Sequence, residues 1–88
     1  MKTLFIINNP TKLASCLEHI GQSDGILLIE DAVLAAREAL AKTCTDLLVL
    51  EDDLIARGIK STNSQWQAID YEGFVSKTLS FDKSVSWL

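Results

Sequence analysis

Long apolar runs are missing from this sequence: no stretch of large aliphatic or aromatic residues exceeds four, as in Leu4–Ile7, Ile26–Ile29 and Leu47–Leu50. A membrane-crossing helix needs about 20 consecutive apolar residues, so none is expected. The N-terminus also lacks a charged segment followed by a long apolar one, which points to an unexported, soluble, cytoplasmic protein. Basic residues are few. Eight Lys and Arg stand against twelve Asp and Glu, a net charge of −4, and they are scattered along the chain. Phosphate affinity rests on clustered cations, so direct nucleic-acid binding is not expected. Cysteine and histidine are scarce: Cys16 and Cys44 match no zinc or Cys-x-x-Cys spacing, and His19 has no second ligand at helical or hairpin distance. No metal is expected, and both thiols are expected to be reduced. Glycine is absent from Asn8-Asn9-Pro10-Thr11, the turn after the first apolar run. A phosphate-cradling loop needs glycine there for close backbone approach, so no cofactor is expected and a small-ligand-binding flavodoxin-like module is the least favoured reading.

What the chain does have is apolar content. It has 88 residues, 48% of them hydrophobic, and a globule of that size buries only roughly 60–65% of the surface its unfolded chain exposes. The length fits one domain, residues 1–88, with some apolar surface left to meet a partner.

Three strand-then-helix units follow one another along the chain, with no sequence repeat among them. Leu4-Phe5-Ile6-Ile7 reads as a strand ended by Asn8-Asn9-Pro10. From Thr11, apolar residues at Leu13, Cys16, Leu17 and Ile20 mark one helical face, and Gly21 closes the helix. Ile26–Ile29 is continuous rather than alternating, the pattern of a strand covered on both faces and hence of a parallel sheet. Asp31 is expected to cap an alanine-rich helix from Ala32 to about Lys42. Asp46–Leu50 repeats the strand, followed by Glu51-Asp52-Asp53 and a short helix ending at Gly58. A strand around Gln67–Ile69 and a helix near Tyr71–Leu79 follow the polar loop 60–65, and the tail from Ser80 is polar with a weakly alternating end. The pattern predicts an α/β, three-layer domain with a mainly parallel sheet of four to five strands and helices on both faces, joined by right-handed crossovers.

Three stretches stand out against this frame: Leu28-Ile29-Glu30-Asp31, Asp53-Leu54-Ile55-Ala56-Arg57-Gly58 and Ile69-Asp70-Tyr71-Glu72-Gly73-Phe74-Val75, with Trp87 beyond them. In identity, order and spacing they resemble the TusB/DsrH family, across essentially the whole chain. The resemblance implies a small flavodoxin-like (DsrEFH-like) domain that is one of three related subunits of a heterohexamer, TusBCD or DsrEFH. Its sister subunits are then of TusC/DsrF and TusD/DsrE type. It further implies a relay in which persulfide sulfur arrives from a TusA-like carrier and leaves by a TusE-like one, toward 2-thiolation of the tRNA wobble uridine. The DsrEFH version serves sulfur oxidation. In both, the principal sulfur-accepting cysteine belongs to a sister subunit, so this chain's role is expected to be mainly structural and non-catalytic.

Within that resemblance, Cys16 stands where DsrH-type members carry a cysteine, which makes it the candidate persulfide acceptor. A carrier thiol must be exposed and partly ionised, and His19 and Lys12 lie one turn away. Against this, Cys16 shares the apolar face of its helix, where a cysteine packs as a small hydrophobe. Tyr71, Phe74 and Trp87 are expected as core or interface anchors, with Trp87 assigned to an interface because a terminal aromatic has little core to join. Arg57 is expected to pair with Asp53 across one helical turn. The acids Glu30, Asp31, Glu51, Asp52 and Asp53 are expected to converge at the C-terminal strand edge, where capping and solvation account for them. Cys44 and Trp66 have no family counterpart, and Trp66 is expected to cover the sheet edge.

Overall fold

Runs of aliphatic residues buried on both sides give the sheet its character. The computed structural model describes residues 2–40 and 46–87. Five strands, β1 (Thr3–Ile7), β2 (Gly25–Leu28), β3 (Asp46–Leu50), β4 (Gln67–Ile69) and β5 (Lys83–Trp87), lie in the order β4-β3-β2-β1-β5. All four pairings are parallel. The central strands β2 and β3 carry Ile26, Leu27, Leu28, Leu48 and Val49 with no exposed surface, and each such side chain contributes about 1.5–3 kcal/mol by leaving water. The expected parallel α/β sheet is found, with the polar tail supplying the fifth strand against β1.

The two faces are covered unequally. On one, Phe5, Ile7, Ile26, Leu28, Leu47 and Val49 meet Leu13, Cys16 and Ile20, then Ala32, Val33 and Ala36, then Leu54 and Trp66. Those residues come from helix α1 (Leu13–Leu17) and the turn after it, a 3₁₀ helix over Glu30–Arg37, helix α2 (Glu51–Ala56) and, for Trp66, the loop before β4. On the other face, Leu4, Leu27, Leu48 and Ile69 are met by Phe81 and the half-buried Phe74. One helix, α3 (Tyr71–Ser80), covers that side, and none of its residues is fully buried.

Local chemistry sets the boundaries. Asn9 accepts from the Thr11 N–H and starts a 3₁₀ turn, Pro10–Lys12, ahead of α1, so the helix expected from Thr11 begins later and is shorter. Gly58, at φ 68°, ends α2: the Gly58 N–H donates to Ile55 O and the Ile59 N–H to Leu54 O, a closure that needs the left-handed conformation glycine adopts freely. The Asp70 carboxylate caps α3 through the Gly73 N–H at 2.7 Å. The alanine-rich segment departs from expectation. It is a 3₁₀ helix over Glu30–Arg37 with Ile29 at its N-cap, not an α-helix capped by Asp31, and Lys42 lies outside the described residues. Trp66 is also corrected: it is a core residue, and its indole N–H donates to Glu38 O at 3.1 Å.

Candidate functional site

At the C-terminal edge of the sheet, β2 turns sharply at Glu30, whose φ of 51° is left-handed, a conformation costly for a residue with a side chain. The turn is held from α2. The Asp53 Oδ2 accepts the Glu30 N–H at 2.7 Å across 23 residues of sequence. Arg57, at the end of α2, places Nε 3.0 Å from Asp31 Oδ1 and Nη1 3.8 Å from Asp53 Oδ1. The expected Arg57–Asp53 pair is present, and the closer contact, to Asp31, was not expected from spacing. With Asp31 72% exposed, that pair contributes only about 0.2–1 kcal/mol. The charge-assisted bond to the Glu30 amide is the stronger element of the corner. Glu30, Asp31 and Asp53 are thus brought together, whereas Glu51 and Asp52 are exposed in the first turn of α2. Among the described residues no group of three or more His, Cys, Asp or Glu is arranged to hold a metal ion.

The aromatic candidates fall at two places. Tyr71 and Phe74 meet edge to face, centroids 5.7 Å apart, at the start of α3. Phe74 leans on the sheet, while Tyr71 (63% exposed), Val75 (47%) and Leu79 (81%) form an outward apolar stripe. Their spacing of four residues keeps them on one helical face. Trp87 does have core to join: it is half-buried, edge-on to Phe5 at 5.9 Å and tilted against His19 at 5.5 Å. Its Nε1 donates to Ser15 Oγ at 2.9 Å and fastens β5 to α1. Cys16, in the same helix, is 0% exposed and packs with the core under α1. Cys44 lies outside the described residues.

Two grooves flank these features. One of about 510 Å³ is lined by Leu54, Ile55, Ile59, Thr62 and Ala68 beside β4; a shallower one of about 370 Å³ lies between Leu13, Ala14, Leu17 and Leu34, Ala35. Among the described residues no helix is long and apolar enough to cross a membrane. Sequence reasoning missed Gln65 and Asn63, whose contacts to Leu40 and Ala36 shape the crossover from β2 to β3; their only signal was a polar loop.

A family model described as DsrH like protein matches residues 8–84. The protein TusB of Yersinia pestis (strain Pestoides F) is 34% identical over 82 residues, 85% of this chain and 86% of that protein. The protein TusB of Yersinia pseudotuberculosis (serotype O:1b, strain IP 31758) matches to the same extent. The matched span carries the Glu30 corner, the Arg57 clamp and the Tyr71–Phe74 pair, and by it the chain belongs to the TusB/DsrH family.

Proposed function

We infer that this chain, as a single domain over 1–88, is a non-catalytic subunit of a cytoplasmic TusBCD-type sulfur-relay complex. Its sister subunits are of TusC/DsrF and TusD/DsrE type in a heterohexamer, and the complex takes persulfide sulfur from a TusA-like carrier and passes it to a TusE-like one, toward 2-thiolation of the tRNA wobble uridine. The observation that carries the reading is the outward stripe of Tyr71, Val75 and Leu79 on helix α3, which covers the thinner face of the sheet. Exposed aromatic and aliphatic side chains in a continuous row are what a partner's apolar surface covers. Tyr71 and the outer edge of Phe74 act as anchors. Arg57 and Trp87 serve the interface by holding the Glu30 corner and the edge strand in shape. The burial of Cys16 supports a structural share, because a thiol that exchanges sulfur with a carrier must meet solvent.

Coexpression with the two sister subunits from the same host tests this. The three chains are expected to co-elute on a sizing column, and Leu79→Glu with Val75→Glu is expected to release this chain while its circular dichroism stays that of the folded domain. A chain that never co-elutes, or a charged stripe that leaves assembly intact, removes the reading. Loss of sulfur transfer in Cys16→Ser, with one sulfur atom gained on Cys16 by mass spectrometry, would make the subunit an active carrier instead.

A further inference from the structure

Residues 30–40 carry a conflict between local preference and observed form. The run Ala32-Val33-Leu34-Ala35-Ala36-Arg37-Glu38-Ala39-Leu40 contains neither glycine nor proline and is rich in strong α-helix formers. Eight residues, Glu30–Arg37, nevertheless run as a 3₁₀ helix, and such stretches rarely exceed three or four because their hydrogen bonds are poorer. The restraint comes from outside the segment, at both ends.

At its start, Asp53 holds the Glu30 N–H at 2.7 Å and Arg57 holds Asp31 at 3.0 Å, which fixes Glu30 in the left-handed region. At its end, the α-helical bond would run from the Leu40 N–H to Ala36 O. Both groups are engaged elsewhere: the Leu40 N–H donates to Gln65 Oε1 at 2.7 Å, and Ala36 O accepts from the Asn63 N–H at 2.8 Å. Gln65 Nε2 reaches Leu40 O at 3.4 Å, and the Trp66 indole N–H takes Glu38 O at 3.1 Å. The 63–66 loop thus anchors the end of the segment and occupies both partners of the α-helical bond that would carry the helix on to Leu40.

We propose that residues 30–40 form a two-state latch, its Glu30–Arg37 stretch held as a 3₁₀ helix by Asp53 and Arg57 at one end and by the 63–66 loop at the other, and winding into an α-helix when either hold is loosened. Rewinding eight residues shortens the segment by about 4 Å. That moves Leu34 and Ala35, which line the groove against α1. Ile59 and Thr62, just ahead of the latching loop, line the groove beside β4. A ligand in the groove against α1 therefore meets the latch itself and can bias its two forms, whereas one in the groove beside β4 meets only the chain that leads into the latching loop.

Nuclear magnetic resonance of the full chain tests the latch through amide exchange and couplings across hydrogen bonds. Gln65→Ala frees the Leu40 N–H, and Ala36 O, which accepts from the Asn63 N–H, has a second lone pair to offer it. The expected result is a coupling from Leu40 N–H to the Ala36 carbonyl and Cα shifts of Val33–Glu38 moving toward α-helical values, with β3 amides Leu48 and Val49 still protected. Persistence of bonds to the third preceding residue, or loss of protection without α-helical bonds, overturns the latch. Glu30→Gly works in the opposite direction, since glycine takes positive φ without strain: protection of the 32–38 amides is expected to rise about tenfold. A fall or no change overturns the proposal. Should Gln65→Ala lose protection in β3 as well, Glu30→Gly alone decides.

Discussion

Gly25 opens β2 with no room for a side chain. A Cβ there would lie 2.6 Å from Phe81 Cζ, 3.1 Å from Cε2 and 3.2 Å from Leu4 Cδ1. Phe81 is itself buried and held over Leu4, Leu27 and Leu48, so it cannot swing out cheaply. Gly25→Ala is expected to destabilise the domain by about 1–3 kcal/mol, as overpacked cores do. Shortening the ring in a Gly25→Ala, Phe81→Leu double variant is expected to recover part of that loss. Urea midpoints check it, and a single variant within about 0.5 kcal/mol of the parent would show that the ring yields. Nothing in a lone Gly-Ile-Leu-Leu run announces this contact. The same holds for Trp66, whose polar neighbours hide a core position, and for Trp87, whose place depends on β5 lying beside β1 and over Ser15.

Helix α3 is secured mainly at its ends and through Phe74. Asp70 caps it through the Gly73 N–H, Lys77 reaches Asp46 at 3.5 Å, and its remaining apolar side chains face outward. Asp70→Ala is expected to cost about 1 kcal/mol and to raise amide exchange selectively in Tyr71–Val75, with the strands of the sheet unaffected. Uniform loss of protection throughout the domain would mean that the helix and the sheet unfold as one unit. The helix itself was legible as a segment near Tyr71–Leu79, while the cap at Asp70 came only with the fold. Strands β1 to β3 were legible because a continuous aliphatic run fits a strand with cover on both sides. The 30–37 segment and β5 were not. Intrinsic preference favours an α-helix in the first, and bonds from residues 25 or more positions away override it. The second is an edge strand, Lys-Ser-Val-Ser-Trp, whose polar alternation resembles a loop until its neighbour is known.

For the molecule as a whole, the unequal cover of the two faces has a thermodynamic signature. A partner that binds the folded chain alone stabilises it by mass action, about 2.7 kcal/mol at a concentration 100 times Kd. The melting temperature of this chain is therefore expected to rise with added sister subunits and to do so less in the Leu79→Glu, Val75→Glu variant. Scanning calorimetry at several subunit ratios checks it; a melting point independent of the ratio would mean that no partner distinguishes the folded state. The C-terminal strand edge, by contrast, was readable in outline. Acids after strands were expected to gather there, and Asp31 and Asp53 do, but it took the fold to show that both converge on Arg57.

The pairing of β5 with β1 joins Thr3 to Lys83, and the Lys2 amide to Asp82, across 80 residues. On a ribosome adding roughly 5–20 residues per second, those partners are synthesised roughly 4–16 seconds apart. During that interval the outer rim of the first strand, with its row of open amides and carbonyls, waits for a neighbour not yet made. Of the five strands described, the latest made is thus the one that covers that rim.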